Sequence, residues 1–163
     1  MSKSFADIEI GRVAWQQYRT AGDRSAQVPD ALRALAAAVT EDDAFGAYWG
    51  LENVVVIQGQ LYSAAVPTVS VLLAALLDEL SPDARDLVLE LLQQIVRGEA
   101  EKEEAALGDA DLGDRCRAAA REGLWLVYRE LGTRRRETAE AILERIEPDR
   151  ARLTAYLKGL RGK

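Results

Sequence analysis

A run of twelve mostly apolar residues lies near the middle of this 163-residue chain. It reads Val66-Pro67-Thr68-Val69-Ser70-Val71-Leu72-Leu73-Ala74-Ala75-Leu76-Leu77. The run predicts a helix, and a helix that is apolar on nearly every face must be covered on all sides. It is too short to cross a bilayer, which requires about 20 apolar residues. We therefore expect it to form an inner helix of a water-soluble fold.

The next helix is predicted to be amphipathic. Ser81 and Pro82 are residue types that cap and begin helices, and Asp83 suits the positively polarised first turn. Apolar residues then recur at three- and four-residue spacing: Val88, Leu91, Leu92 and Ile95. A buried helix beside a half-exposed one is typical of stacked helical hairpins, and a globular bundle gives the same pattern.

Helix signals recur along the whole chain, and no convincing segment of strand length alternates apolar and polar residues. The predicted helices cover residues 5–20, 29–39, 40–57, 63–80, 82–98, 112–131, 133–148 and 148–160. The β-branched run Val54–Ile57 suits a strand, but it directly follows a helical pattern, and we assign it to the end of the third helix. Eight helices joined by short turns make four antiparallel pairs of about 40 residues, the period of helical-hairpin repeats.

A recognisable pattern lies between residues 41 and 97. It consists of Phe45, Tyr48-Trp49-Gly50-Leu51, Gln58-Gly59, Tyr62-Ser63-Ala64-Ala65-Val66-Pro67, Ser81-Pro82 and Leu87–Leu92. The pattern resembles that of short bacterial HEAT-like repeat proteins and covers about a third of the chain. The resemblance implies an α-solenoid with a concave binding surface, and most such proteins bind partners. Some bacterial relatives are alkyl-base DNA glycosylases or phycobilin lyases, and neither group's motif is evident here.

We therefore predict an all-α fold with one domain over residues 1–163. Its arrangement is predicted to be a right-handed α-solenoid of about four antiparallel helix pairs, with a single globular helical bundle as the alternative. The chain has no histidine and one cysteine, Cys116, which excludes histidine-assisted nucleophiles and disulfides. We expect this cysteine to be buried and structural. We expect no enzymatic activity, no cofactor and no metal.

The net charge of −6 is distributed unevenly. Residues 1–111 carry 8 basic and 19 acidic groups, and residues 112–163 carry 13 basic and 8 acidic groups. The connecting segment 98–114 alone holds seven acids and one lysine. It is either a solvated loop or an acidic arm that docks on a basic partner. The candidate partner-binding residues are Glu99, Glu101, Glu103, Glu104, Asp109 and Asp111.

A second candidate site is a pocket for a ligand or partner. Its predicted lining is Tyr48, Trp49, Glu52, Asn53, Gln58, Gln60 and Tyr62. On a helix, Phe45, Tyr48, Trp49 and Glu52 share one face. A carboxylate on an apolar face requires a partner, because an unpaired buried charge is costly. The alternative interpretation is that Glu52 bonds a turn amide or an arginine and that the aromatic residues are core.

Arginines are concentrated in the C-terminal third. Arg134, Arg135 and Arg136 stand at a predicted helix start, where the helix dipole disfavours cations. They form either a salt-bridged surface or a contact with an anion or nucleic acid. No aromatic residues alternate with them, as base stacking would require.

These observations predict a non-catalytic protein-binding module. Its most concrete form is an immunity or antitoxin-like protein that masks the basic active site of a bacterial toxin. We expect a cytoplasmic monomer or small homo-oligomer with a basic protein partner and no membrane association. Nucleic acid is a weaker candidate, because an acidic chain repels phosphate. The alternative function is a HEAT-like nucleic-acid binder or enzyme, similar to a DNA glycosylase, that uses the arginine-rich half with Trp49 or Trp125 against a base.

Overall fold

The computed structural model describes residues 2–160, and these residues form a predominantly helical protein. The all-α prediction is confirmed. The helices are α1 Phe5–Gly11, α2 Val28–Ala37, α3 Glu41–Trp49, α4 Ala65–Ala75, α5 Pro82–Val96, the single turn α6 Lys102–Glu104, α7 Leu112–Arg121, α8 Leu124–Glu130, α9 Arg136–Ile146 and α10 Arg150–Gly159. None of them is long and apolar enough to cross a bilayer.

Local capping explains where several helices begin. The Thr40 hydroxyl accepts a hydrogen bond from the Asp43 amide at 3.1 Å. The Ser81 hydroxyl accepts one from the Ala84 amide at 3.1 Å, and Pro82 is the first residue of α5. These bonds satisfy amides that have no partner within the helix. The sequence-based starts of α3 and α5 are therefore confirmed.

A small β-sheet replaces the predicted end of the third helix. Residues Val56–Ile57 form β1, Gln60–Leu61 form β2 and Glu99–Ala100 form β3. β2 pairs antiparallel with β1 and parallel with β3. Gln58 and Gly59 have φ of +48° and +83°, as a two-residue hairpin turn requires. Assigning Val54–Ile57 to a helix was wrong, because the chain turns back at Gln58 and Gly59, where φ is positive, and Val56–Ile57 pair with Gln60–Leu61.

The predicted helix over residues 112–131 is divided into α7 and α8 at Gly123. This glycine lies against α4, and a Cβ added to it would stand 2.5 Å from Leu73 Cδ2. The close approach requires a residue without a side chain. The predicted helix over residues 5–20 is also shorter than expected, since α1 ends at Gly11 and a short 3₁₀ turn follows at Trp15–Gln17.

The helices pack in two layers. α1, α4 and α7 are neighbours in one layer, and α3, α5 and α9 are neighbours in the other. The core between them includes Leu72, Leu91 and Leu92, all fully buried. Glu41 and Asp83 line the same cleft, which shows that the first turns of α3 and α5 lie side by side. The solenoid and its alternative, a single globular helical bundle, both stay predictions.

Candidate functional site

The acidic segment 98–114 is folded onto the rest of the protein. Glu104 is only 3% exposed. Its carboxylate accepts hydrogen bonds from Arg19 Nε at 2.7 Å and Arg19 Nη2 at 2.9 Å. It also accepts the amide of Ser63 at 3.1 Å. A buried carboxylate with three donors stabilises the packing of the segment and is not available to a partner.

The neighbouring acids of the segment are also engaged. The buried Glu101 carboxylate caps α6 by accepting the amides of Glu103 at 2.9 Å and Glu104 at 3.3 Å. Glu99 forms an ion pair with Arg117 at 3.1 Å. Glu103 is exposed and has no ion pair among residues 2–160. The charge of Glu103 is therefore more available to a partner than the charges of Glu99, Glu101 and Glu104.

The last two predicted acids pair with arginines as well. Asp109 pairs with Arg19 and, at 3.1 Å, with Arg115. Asp111 lies 3.5 Å from Arg115 and is mostly exposed. Arg19 therefore binds both Glu104 and Asp109, which lie at the two ends of the helical turn Ala105–Asp109. These two ion pairs hold the segment against the rest of the protein. The segment is an ordered part of the fold.

The predicted pocket residues divide between two places. Tyr48 is buried and packs edge-to-face on Trp49, with ring centroids 5.3 Å apart, while Trp49 is 56% exposed. Tyr62 lies instead beside the acidic segment, where burial and Glu101 raise its pKa. The remaining polar residues, Asn53, Gln58 and Gln60, are exposed around the β-hairpin.

Glu52 stands apart from the other pocket residues. Its Oε2 is the one buried side-chain polar atom without a hydrogen-bond partner in the described part of the chain. Burial raises the pKa of Glu52, Arg97 lowers it and Glu90 raises it again. Burial also raises the pKa of the neighbouring Tyr48 hydroxyl. Glu52 therefore lies just after α3 and close to Glu90 of α5, and its Oε2 accepts no hydrogen bond from the described residues.

A cleft of about 240 Å³ opens between α3 and α5 near the starts of both helices, and we call it the α3–α5 cleft. Its lining is Glu41, Phe45, Asp83, Asp86 and Leu87. Phe45 is 41% exposed, and Trp49 follows one turn later on the same helix. Glu41 and Asp83 have no lysine or arginine within 4.0 Å in residues 2–160, and the same holds for Asp42 and Asp43. Sequence reasoning explained these acids one helix at a time and did not bring them together.

Asp86 is the member of the cleft that already holds cations. Arg135 Nε donates to it at 2.6 Å and Arg134 Nη2 at 2.9 Å. The Arg135 side chain is 14% exposed, and the Arg134 side chain is 62% exposed. Arg135 also donates to the Pro82 carbonyl at 3.3 Å. Arg135 is therefore built into the fold, and Arg134 rests on its surface.

Most of the other C-terminal arginines bind backbone carbonyls. Arg136 donates to the carbonyls of Leu157 at 2.7 Å and Leu160 at 3.1 Å. Arg121 donates to the Ile146 carbonyl at 2.7 Å. The same role is filled by Arg117 on Val96 and Arg129 on Leu76. The accepting carbonyls lie at the C-terminal ends of helices, where they have no partner within the helix and where the helix dipole favours a cation. Arginine N–H groups that bind these carbonyls are not free for a partner, so this region has less free positive charge than its composition indicates.

The surroundings of Cys116 do not favour nucleophilic catalysis. Cys116 is buried, and burial raises the pKa of its thiol to about 12, although Arg115 and Arg117 lower it. A thiol with so high a pKa is a poor nucleophile. Among residues 2–160 no group of three acidic or sulfur side chains is arranged to hold a metal ion.

Comparisons with known proteins do not indicate a function, so the argument for one rests on the side-chain geometry described above. No protein-family model matches the chain, and no curated protein or solved structure matches it. The resemblance to HEAT-like repeat proteins remains a prediction. The α3–α5 cleft brings Glu41 and Asp83, which have no ion pair among residues 2–160, beside the exposed ring of Phe45.

Proposed function

We propose that this protein is a non-catalytic module that binds a basic protein, most concretely as an immunity or antitoxin-like protein that masks the basic site of a bacterial toxin. The observation that carries the proposal is the α3–α5 cleft, where Glu41 and Asp83 have no ion pair with any residue from 2 to 160 and lie beside the exposed ring of Phe45. Aromatic side chains are enriched at the centre of protein-binding surfaces, and the rim around them is polar.

The charge of the cleft favours a cationic partner. Unpaired carboxylates on one surface raise the rate of encounter with a basic protein and orient it. Carboxylates already bound to arginine contribute much less, because their field is largely cancelled. The cleft therefore supports the proposal better than the segment 98–114, whose Glu101 and Glu104 are buried and bonded within the chain.

The nucleic-acid alternative has less support from the side-chain contacts. Arg121 and Arg136 bind carbonyls, and Arg135 binds Asp86. The exposed face of Trp125 already carries the guanidinium of Arg152, 5.2 Å from the ring centroid. A base would have to displace that cation before it could stack.

Affinity capture followed by kinetics tests the proposal. The tagged protein is used to capture a partner from bacterial lysate at low salt, and the purified partner's association rate is then measured. Two double variants are compared, Glu41→Gln/Asp83→Asn at the cleft and Glu137→Gln/Glu144→Gln on α9. Each removes two acids that have no ion pair among residues 2–160, so the two variants have the same net charge.

We expect the captured partner to be basic and to associate several-fold more slowly with the cleft variant than with the α9 variant. We also expect the difference to shrink as salt rises, because screening shortens the range of the field. Equal rates for both variants would overturn the assignment to the cleft. Captured nucleic acid that is lost on substitution of Arg134 would favour the alternative function.

A further inference from the structure

Another cavity lies where the chain leaves α4 and α8 and enters α5. Its volume is about 520 Å³, which is within the range of pockets that hold small molecules. Three arginines and three leucines contribute to its lining: Arg85, Arg129, Arg135, Leu76, Leu77 and Leu80. We call it the arginine cavity. It shares no lining residue with the α3–α5 cleft.

Two of these arginines keep N–H donors that no residue from 2 to 160 accepts. The Arg85 side chain is 17% exposed, and its Nη2 donates to the Asp78 carbonyl at 3.0 Å. Its Nη1 lies 3.8 Å from Glu130 Oε2, which is too far for a hydrogen bond. Arg129 Nη2 donates to the Leu76 carbonyl at 3.2 Å, and its guanidinium has no ion pair in the described chain. Since a guanidinium has five N–H donors, most of the donors of both residues remain available.

Three acids also line the arginine cavity, and they limit the charge of a ligand. The Asp78 carboxylate is occupied by two backbone amides at the start of α1, at 2.9 and 3.0 Å. Glu130 is buried and forms ion pairs with Arg85 and Arg135, and Glu79 is exposed. These pairings leave one arginine of the cavity without a carboxylate. A monoanion would balance that charge, whereas a dianion such as phosphate would be repelled more strongly by Glu79 and Glu130.

The pKa of Arg85 shows that its neighbours are not fully neutralised. Burial lowers this pKa, Glu130 raises it, and Arg129 and Arg135 lower it again. Arg19, which is hydrogen-bonded to a carboxylate, has a raised pKa instead. An anion beside Arg85 would act as that carboxylate does, because an opposite charge favours the charged form of a guanidinium.

The shape of the donors and the leucines of the lining indicate the class of anion. A carboxylate is planar, and its two oxygens match the fork of a guanidinium. Leu77 is 52% exposed, and Leu80 is half-buried beside the same cavity. Apolar surface next to the donors favours a ligand with an apolar body over a bare ion, because burying that surface adds to the affinity.

We propose that the arginine cavity binds a small organic acid, with its carboxylate held by Arg85 and Arg129 and its apolar body packed on Leu77 and Leu80. This site goes beyond the proposed function. It uses basic residues of the C-terminal half of the fold, whereas the proposed partner is attracted by acids of the α3–α5 cleft. Either inference can therefore fail without the other.

Benzoate and benzamide test the proposal on the full-length protein, because the two molecules have the same shape and differ in charge. Each is titrated at constant ionic strength and neutral pH, and the amide chemical shifts of Leu80 and Thr133 report binding at the cavity. We expect benzoate to bind at least about tenfold more tightly than benzamide, as a hydrogen bond to a charged group gives. Equal affinities, no saturable shift with benzoate, or shifts confined to other parts of the protein would overturn the proposal.

Two arginine variants separate a specific contact from a general effect of charge. Arg129→Gln is compared with Arg145→Gln, which removes the same charge from an exposed position on α9. We expect Arg129→Gln to weaken benzoate binding by about tenfold. Arg145→Gln should weaken it by less than about twofold, because solvent screens a distant charge. Equal effects of the two substitutions would contradict the assignment to the cavity.

Leu77→Ala provides a further readout that does not depend on an arginine. Because Leu77 is largely exposed, this variant should keep the fold and nearly the same thermal midpoint. We expect it to weaken the binding of benzoate and to leave the binding of acetate, which has no comparable apolar body, unchanged. If both acids are affected equally, the leucines do not hold the body of the ligand and the proposed mode of binding is wrong.

Discussion

The acidic segment 98–114 and the α3–α5 cleft are both rich in carboxylates, but they use them in opposite ways. The segment holds seven acids in seventeen residues, yet Glu104 is buried against Arg19 and Glu99 pairs with Arg117. The cleft has fewer acids, and Glu41 and Asp83 have no ion pair among residues 2–160. The density of charge along a chain therefore does not measure the charge that a partner can use.

The difference has a simple physical origin. Acids in the first turn of a helix are stabilised by the dipole and by the surrounding water, so they need no counter-ion. Asp42 and Asp83 occupy such positions in α3 and α5. In the segment 98–114, Glu104 and Glu99 instead bind Arg19 and Arg117, and these ion pairs help to order the segment.

The largest expected effect comes from breaking the buried pair of the segment. Glu104→Ala leaves Arg19 without its main partner and the Ser63 amide without an acceptor. We expect the free energy of unfolding to fall by about 2–3 kcal/mol, somewhat below the range for a fully buried pair because Arg19 is partly exposed. Urea denaturation measures this loss. Glu103→Ala, one residue away and exposed, should change stability by less than about 0.5 kcal/mol. Equal losses for both variants would contradict the contrast.

A second bound carboxylate should make the fold sensitive to acid. Glu147 accepts bonds from Arg152 Nε at 2.8 Å and Tyr128 Oη at 2.6 Å, and the Arg152 bond is the main reason that its pKa is lowered from 4.5 to about 2. Because the folded-state pKa is depressed, its stabilisation is complete above pH 4.5 and is lost as pH falls toward 2.

Glu147→Gln should cost about 2 kcal/mol near neutral pH and flatten this acid dependence. Thermal melts between pH 6 and pH 2 measure both effects. Asp83→Asn serves as the control, and its melting curve should keep the acid dependence of the native chain. An unchanged slope in Glu147→Gln would show that other carboxylates cause the acid sensitivity.

The β-hairpin supports the acidic segment, and a smaller loss is expected there. The Glu99 amide donates to the Gly59 carbonyl at 2.9 Å, and Gly59 has a φ of +83°. Gly59→Ala should cost about 1 kcal/mol, because a Cβ strains this conformation. Hydrogen exchange at the Glu99 amide should quicken. Gly46→Ala in α3, where a Cβ meets no atom within 4 Å, should instead stabilise by about 0.5–1 kcal/mol.

The smallest effect on stability is expected at the cleft itself. Asp83→Asn removes a first-turn charge from α5 without breaking an ion pair, and it should cost about 0.5 kcal/mol. The same substitution should slow association with a basic partner, which surface plasmon resonance can measure. A loss of stability as large as that of Glu104→Ala would show that the cleft is structural.

Sequence reasoning was most successful where the signals are local. The cap residues Thr40 and Ser81 mark the starts of α3 and α5, and the apolar run at 66–77 coincides with most of α4. It failed for Val56–Ile57, which pair with Gln60–Leu61 across the Gln58-Gly59 turn, and it missed the pairing of Gln60–Leu61 with Glu99–Ala100 far along the chain. It also missed the break at Gly123, which comes from contact with another helix.

The candidate site was likewise predicted only in the features that depend on neighbouring residues. The sequence analysis placed Asp83 in the first turn of α5, but the cleft that it forms with Glu41 and Phe45 depends on α3 and α5 starting side by side.

Where most of the helices begin, and that their apolar faces must be buried, was settled by the amino-acid sequence alone, because caps and periodicity act over a few residues. Which charges are free was settled by packing. An ion pair depends on distances of a few ångströms between residues that are far apart in the chain, as Arg19 and Glu104 are. No local pattern encodes such a distance, and so the concentration of acids in segment 98–114 did not reveal that Glu104 is bound to Arg19, while Glu41 and Asp83 have no ion pair among residues 2–160.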